Sequence, residues 1–287
     1  MGKNDSLVRL IATDLDGTLL RSDHETDSVP TRRALGAARD AGITIVLVSA
    51  RGPVGVGKVA DLIGCEGHAI CSNGALVVDL VSREVVRHRP LAADVAAQIV
   101  RALRARLPDV CFAAEIEGVF ALEPAFEGAW DWEPPAGTRY ADALELVAVP
   151  VTKLIARDVT CSVAELAAAA REVAGDAAVP AVAGEWVVEI SAAGVNKAAA
   201  LQELAADLGV ESADVVAFGD YLNDLPMLEW AGRSIAPANA HPEVLARVDE
   251  VTLSNDDDGV ALAIERLLRR GTVDSPDDAT PDVSLAS

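Results

Sequence analysis

Aromatic side chains make up only 3% of this 287-residue chain, basic ones are heavily outnumbered, and there are four cysteines. Each shortage excludes something. With 24 Lys and Arg against 45 Asp and Glu, a formal charge of −21, the chain lacks the basic face that nucleic acid or an anionic membrane demands. No apolar run approaches the ~18 residues of a membrane span, and the N-terminus lacks a basic segment followed by a signal-peptide core. A cytoplasmic location is expected. Met1-Gly2-Lys3-Asn4-Asp5-Ser6 matches a myristoylation pattern, but so short a match arises readily by chance and a strand follows almost at once. Cys65, Cys71, Cys111 and Cys161 show no metal-type pairing and read as reduced core thiols. What remains is ample for a core: 51% of the residues are hydrophobic, and the length fits about two domains.

The pattern of elements divides the chain. Residues 8–13, 43–49 and 69–72 read as strands, with helices at about 31–41 and 53–63 between them, a βαβαβ alternation. A β-rich stretch follows at 76–78 and 84–89. From about Pro90 the texture changes: helices at 94–106 and 163–174, strands near 110–114, 119–122, 152–156, 179–183 and 186–190, and a stretch rich in Trp, Pro and Gly over 127–140. After Gly194 the alternation resumes, with helices at 197–208, 224–231, 242–247 and 259–269 and strands at 215–218 and 234–236. The expectation is a doubly wound, Rossmann-like parallel α/β sheet, residues 1–89 and 191–270, split by an inserted α+β domain at 90–190. Residues 271–287, polar and poor in large apolar groups, read as a disordered acidic tail.

Four segments fall at or near predicted strand ends, where open α/β sheets bind ligands. Asp14 and Asp16, in Thr13-Asp14-Leu15-Asp16-Gly17-Thr18, are spaced so that one carboxylate can attack while the other exchanges a proton; a solvated Asp-x-Asp-Gly turn is the plainer reading. Ser49-Ala50-Arg51 offers a hydroxyl and backbone amides suited to phosphate oxygens, or is an ordinary strand-to-helix turn. Lys197 opens a helix, where its ammonium and the helix N-terminus face the same anion unless the side chain is simply solvated. Asp220, Asn223 and Asp224, in Gly219-Asp220-Tyr221-Leu222-Asn223-Asp224, are an oxygen-donor set suited to Mg²⁺, or an acidic helix cap.

Taken in order, these segments resemble the motifs of the haloacid dehalogenase superfamily of phosphatases, most closely its Cof-type branch. Ser72-Asn73-Gly74-Ala75, Asn239-Ala240-His241-Pro242 and Asp256-Asp257-Asp258-Gly259-Val260 look like further signatures of that branch, and Ser49-Ala50-Arg51 stands where many members have Thr-Gly-Arg. The resemblance implies that the insert is a cap and that Asp14 is a nucleophile forming an aspartyl-phosphate. It implies that Asp16 is the acid that protonates the leaving alcohol and then the base that activates water. Mg²⁺ would be held by Asp14, the backbone carbonyl of Asp16 and Asp220, with Asp224 supporting the shell. Ser49, Ala50, Lys197 and Asn223 would hold the phosphate. With these four carboxylates and Lys197 ionised, the site carries three net negative charges without metal and one with it. A charge pair 4 Å apart is worth about 4 kcal/mol at an effective dielectric near 20, so loss of the metal should exclude a phosphate dianion.

The partner is then a small phosphorylated metabolite, a sugar phosphate first and a nucleotide or cofactor phosphate second. The oligomeric state is not legible. Glu115, Glu117, Arg139, Lys153, Glu185 and Trp186 are the cap candidates for choosing the leaving group. Trp130, Trp132, Trp186 and Trp230 read first as core packing, second as substrate or partner surface. Gly52-Pro53-Val54-Gly55-Val56-Gly57-Lys58 imitates a P-loop, but Val59 stands where the Mg²⁺-binding hydroxyl is required. A phosphomutase would return the phosphoryl group to a sugar instead of water. A catalytically silent phosphate-ligand sensor would not need both Asp14 and Asp16.

Overall fold

In a computed structural model, residues 7–23, 28–127, 137–183 and 185–273 are described. The first strands are β1 (Leu10–Asp14), β2 (Thr44–Val48), β3 (His68–Cys71), β4 (Leu76–Asp79) and β5 (Val85–His88). The second group is β6 (Cys111–Ile116), β7 (Val119–Leu122), β8 (Arg139–Tyr140), β9 (Lys153–Arg157), β10 (Ala178–Ala183) and β11 (Val187–Ala192). The last is β12 (Val215–Phe218), β13 (Arg233–Ala236) and β14 (Glu250–Val251). The outer groups merge into one eight-stranded sheet in the order β14-β13-β12-β1-β2-β3-β4-β5, and the middle group forms its own six-stranded sheet, β10-β11-β9-β6-β7-β8. The chain is therefore a doubly wound α/β sheet interrupted by an α+β insert.

Parallel strands buried on both faces read as near-continuous apolar runs, and here successive residues alternate between two cores. Ile11, Ile45, Leu47, Val216 and Phe218 enter one; Leu10, Ala12, Val46, Val48, Val215 and Ala217 enter the other. From β14 through β3 the sheet is parallel, with Thr13 beside Phe218 and Asp14 beside Val48. That register brings the C-terminal ends of β2, β1 and β12 side by side. β4 and β5 run antiparallel, because the turns that precede them are far too short for a crossover.

In the insert, helices Ala93–Arg106 and Val163–Ala174 cover one face of the sheet with Phe112, Ala114, Leu154, Ala156, Val188 and Ile190 beneath them. The alternate residues, among them Ala113, Leu122, Ile155 and Val187, form a smaller apolar cluster on the other face. Several details differ from expectation. Arg139–Tyr140 adds a short parallel strand, and the helix expected at 242–247 stops at Leu245. The final helix, Gly259–Val273, takes up the first three residues assigned to the tail. The remainder of that tail, the myristoylation-like N-terminus, Trp130 and Trp132 lie outside the described residues. Trp230 packs against the sheet core, whereas Trp186 is 60% exposed and so is no core residue. The P-loop-like segment is not a phosphate cradle, since Pro53–Ile63 is helix and Lys58 is exposed. Among the described residues, no helix is long and apolar enough to cross a membrane.

Candidate active site

β1 ends at Asp14, which is buried among strand ends. Helix Lys197–Asp207 begins opposite it, with Asn196 capping the helix by accepting the Ala199 N–H. Lys197 is buried, and its ammonium donates to Asp14 Oδ1 and Asp224 Oδ1, both at 2.6 Å. The other oxygen of Asp224 accepts the N–H groups of Asp220 and Tyr221, each at 3.1 Å, so the turn after β12 folds around its own carboxylate. Thr18 donates its hydroxyl to Asp220 Oδ1 at 2.8 Å. Gly17 makes this approach possible: its φ is +80°, and a Cβ there would fall 2.5 Å from Asp220 Oδ2.

Asp14, Asp220 and Asp224 thus present carboxylate oxygens within 4.8 Å of one another. Burial lifts Asp14 well above the usual carboxylate range; Lys197 pulls it down and Asp224 pushes it up. Burial likewise raises Asp220, against the Thr18 hydrogen bond. For Lys197 burial opposes the charge, but the attraction of Asp14 and then Asp224 outweighs it and the pKa rises. A charged ammonium among crowded carboxylates leaves negative charge uncompensated. Three hard oxygen donors, a glycine that leaves them room and a deficit of cations fit a divalent ion such as Mg²⁺.

Asp16 stands apart from that trio. Its carboxylate is held by the fork of Arg51, with Nε donating to Oδ2 at 2.8 Å and an Nη to Oδ1 at 2.5 Å. Counting Arg51 as well as Lys197, the ionised site carries two net negative charges, which a divalent cation would balance. Ser49 is buried at the end of β2, where its hydroxyl accepts the Arg51 N–H at 3.1 Å. The carbonyl of Ala50 accepts from Lys153 at 3.3 Å. Asn223 is exposed and donates to Asn73 Oδ1 at 3.2 Å. Asn239 donates to the carbonyl of Gly17 and accepts from Asn255 N–H, bracing the turn after β1 from outside.

The structure therefore gathers Asp14, Lys197, Asp220 and Asp224 into one cluster, sets Asp16 and Ser49 around Arg51, and joins Asn223 through Asn73. The cap candidates divide. Glu115 and Lys153 are buried against the sheet domain, whereas Glu117, Arg139, Glu185 and Trp186 are exposed. Sequence reasoning missed Glu189, which pairs with Lys153 at 2.6 Å. Its signal was a lone carboxylate in the apolar run Val187-Val188-Glu189-Ile190, since a charge inside a buried strand needs a partner.

Comparison with known proteins agrees with the motifs. The chain is 30% identical over 249 residues to the HMP-PP phosphatase of Cronobacter sakazakii, covering 84% of this chain and 88% of that one. It is 29% identical to the 5-amino-6-(5-phospho-D-ribitylamino)uracil phosphatase YcsE of Bacillus subtilis, covering 91% and 96%. A haloacid dehalogenase-like hydrolase from Bacteroides thetaiotaomicron superposes with a TM-score of 0.76 at 26% identity, over 91% of this chain and 99% of the other. The family pattern of the haloacid dehalogenase-like hydrolases matches residues 11–264. With its four motifs gathered at one edge of a split parallel sheet, this chain belongs to the haloacid dehalogenase-like hydrolases, in their Cof-type branch.

Proposed function

We propose that the enzyme hydrolyses a small phosphomonoester, with sugar phosphates as the leading class, through an aspartyl-phosphate on Asp14 and with Mg²⁺ as cofactor. One observation carries this reading: two carboxylates two residues apart occupy different settings, Asp14 beside Lys197 and Asp16 on the Arg51 fork. Groups in different environments can take different roles. An Asp14 oxygen attacks phosphorus, the ester P–O bond breaks, and Asp16 gives its proton to the departing alkoxide. Water then attacks the acyl phosphate and loses its proton to Asp16, freeing Asp14 and inorganic phosphate. Lys197, the Ser49 hydroxyl, the Ala50 N–H and Asn223 hold the phosphoryl oxygens. Asp14, the Asp16 carbonyl and Asp220 would hold Mg²⁺, with Asp224 orienting Lys197 and the turn after β12. When bound, the ion supplies positive charge to offset that of the phosphate.

The insert, residues 90–190, serves as a cap that closes over the substrate and excludes bulk water. The relative named for a phosphorylated ribityl chain supports a polyhydroxylated leaving group. A nucleotide or cofactor phosphate is the second reading; the relative named HMP-PP phosphatase supports a small phosphorylated substrate more generally. All four cysteines are free and three of them are buried, which suits a reducing compartment such as the cytoplasm. A phosphate-release screen over sugar, nucleotide and cofactor phosphates with Mg²⁺ tests the proposal. Turnover of a sugar phosphate to free phosphate, abolished in Asp14→Asn, is expected; transfer to a second sugar without release would make the enzyme a mutase, and no turnover on any ester would reject the reading.

A further inference from the structure

A second buried charge cluster joins the two sheets. Glu115 on β6 stands opposite Lys153 on β9, and Glu189 on β11 stands opposite Ile155 two residues along, so all three side chains leave the same face of the cap sheet. Lys153 Nζ lies 2.6 Å from Glu189 and 3.7 Å from Glu115, and the side chains of Lys153 and Glu115 are 4% and 0% exposed. From this cluster, bonds run into the sheet domain. Ser72 donates its hydroxyl to both oxygens of Glu115, at 2.8 and 2.9 Å. Lys153 donates to the Ala50 carbonyl, and Asn73 donates to Glu189 at 3.2 Å. Gly52 is in close approach too, since a Cβ there would fall 2.8 Å from Glu115 Oε1.

What these bonds grip is the phosphate side of the site. Ser72 and Asn73 have φ of 50° and 56°, the left-handed region that is unfavourable for residues with a side chain and persists only when neighbours impose it. The neighbours are visible. Ser72 N–H donates to the Arg51 carbonyl at 2.8 Å and Asn73 N–H to the Ser49 carbonyl at 3.0 Å, while Asn73 Oδ1 receives Asn223. Gly74 seats the turn against the start of the Lys197 helix, because a Cβ there would meet the Asn196 carbonyl at 2.3 Å. The turn therefore touches the loop carrying Ser49 and Ala50, the helix carrying Lys197, and Asn223. A buried ion cluster is a poor source of adhesion, since apolar side chains of equal volume hold two surfaces at least as well. Its distinguishing property is a geometry that only one register satisfies.

We infer that Glu115 and Lys153 are positioning residues: with the cap seated, they clamp the 49–52 loop and the Ser72–Gly74 turn, and so set the phosphate-holding groups in their reactive arrangement. The inference rests on the phosphate site proposed above. It is tested in the full chain with Mg²⁺ and p-nitrophenyl phosphate, using Ser72→Ala, Glu115→Gln and the double variant, with Lys153→Arg as the conservative replacement. Expected is a fall in kcat of about tenfold in each single variant, with KM changing less than threefold, no further fall in the double variant, and most activity kept by Lys153→Arg. Hydrogen exchange of the peptide spanning Ser72 and Asn73 should quicken in the variants while β1 stays protected. Single-variant losses that multiply in the double variant, or unchanged exchange with kcat within twofold, would overturn it. Ser72→Ala changes one hydroxyl and keeps the test open if a cap variant fails to fold. A native protein inert toward the ester would count against the phosphate site, whereas exchange reads the clamp without turnover.

Discussion

Replacing Lys197 by Met tests the electrostatic account of the site. The ammonium sits 2.6 Å from both Asp14 and Asp224, with its side chain 3% exposed. Met keeps an unbranched apolar stem of similar length, so little cavity is created, and the change isolates the charge. At 4 Å a unit pair is worth about 4 kcal/mol at an effective dielectric near 20. Removing one partner of a buried pair costs about 3–5 kcal/mol, because the other is left uncompensated. We therefore expect urea unfolding in EDTA at neutral pH to show a loss of about 3–5 kcal/mol, a large share of the ~5–15 kcal/mol typical of a folded domain. Lys197→Met/Asp224→Asn should recover part of that loss, since one stranded charge is gone. Mg²⁺ should raise Tm further in Lys197→Met than in the native protein, because the ion replaces missing positive charge, although phosphate release stays abolished. A loss below about 1 kcal/mol, or a double variant less stable than the single one, would refute the reasoning.

The parts of this site that were legible share a cause. In a parallel sheet, chain direction alone sends each strand's last residues to one edge, so Asp14, Ser49 and Asp220 meet wherever three apolar runs end in polar turns. Lys197 was legible because a helix start fixes where its first side chain lies. Contacts between elements distant in sequence were not. Glu189 was missed although it is a charge in an apolar strand, because its partner Lys153 lies 36 residues away on a strand whose pairing no local pattern specifies. Arg51 was visible in its motif, but whether its fork turned toward phosphate, solvent or Asp16 depends on the loop conformation after β2. Trp186 misled for the reverse reason: a large aromatic is usually at least partly buried, and this one stands just before β11, on the turn from β10, where it is exposed.

The remaining tests address separate links of the chain of argument. Asp14→Asn should form no phosphoenzyme in rapid-quench experiments, whereas Asp16→Asn should slow turnover about 10²–10⁴-fold while remaining able to form some; a normal covalent intermediate in Asp14→Asn would remove the nucleophile assignment. Asp220→Asn should need far more Mg²⁺ for phosphate release than Asp224→Asn, whose carboxylate is already committed to Lys197 and two backbone amides; equal metal affinity in native and Asp220→Asn proteins would reject the ligand role. Burial pushes the thiols of Cys65 and Cys71 up to about 12, so at pH 8 a disulfide reagent should reach Cys161, the least buried of the four, well before them; prompt labelling of Cys71 would contradict the packing. Arg51 gives the last test, because its two bonds to Asp16 fix the plane of that carboxylate as well as its charge environment. Arg51→Lys keeps a cation but loses the fork, so it should harm the step in which Asp16 must aim a proton. In single-turnover phosphoenzyme formation, a sugar phosphate, whose alkoxide needs that proton, should slow about ten- to hundredfold, on the scale of general acid catalysis. p-Nitrophenyl phosphate, whose phenolate leaves unaided, should slow less than threefold in the same step; equal losses on the two esters would show that Arg51 serves phosphate binding and not the orientation of Asp16.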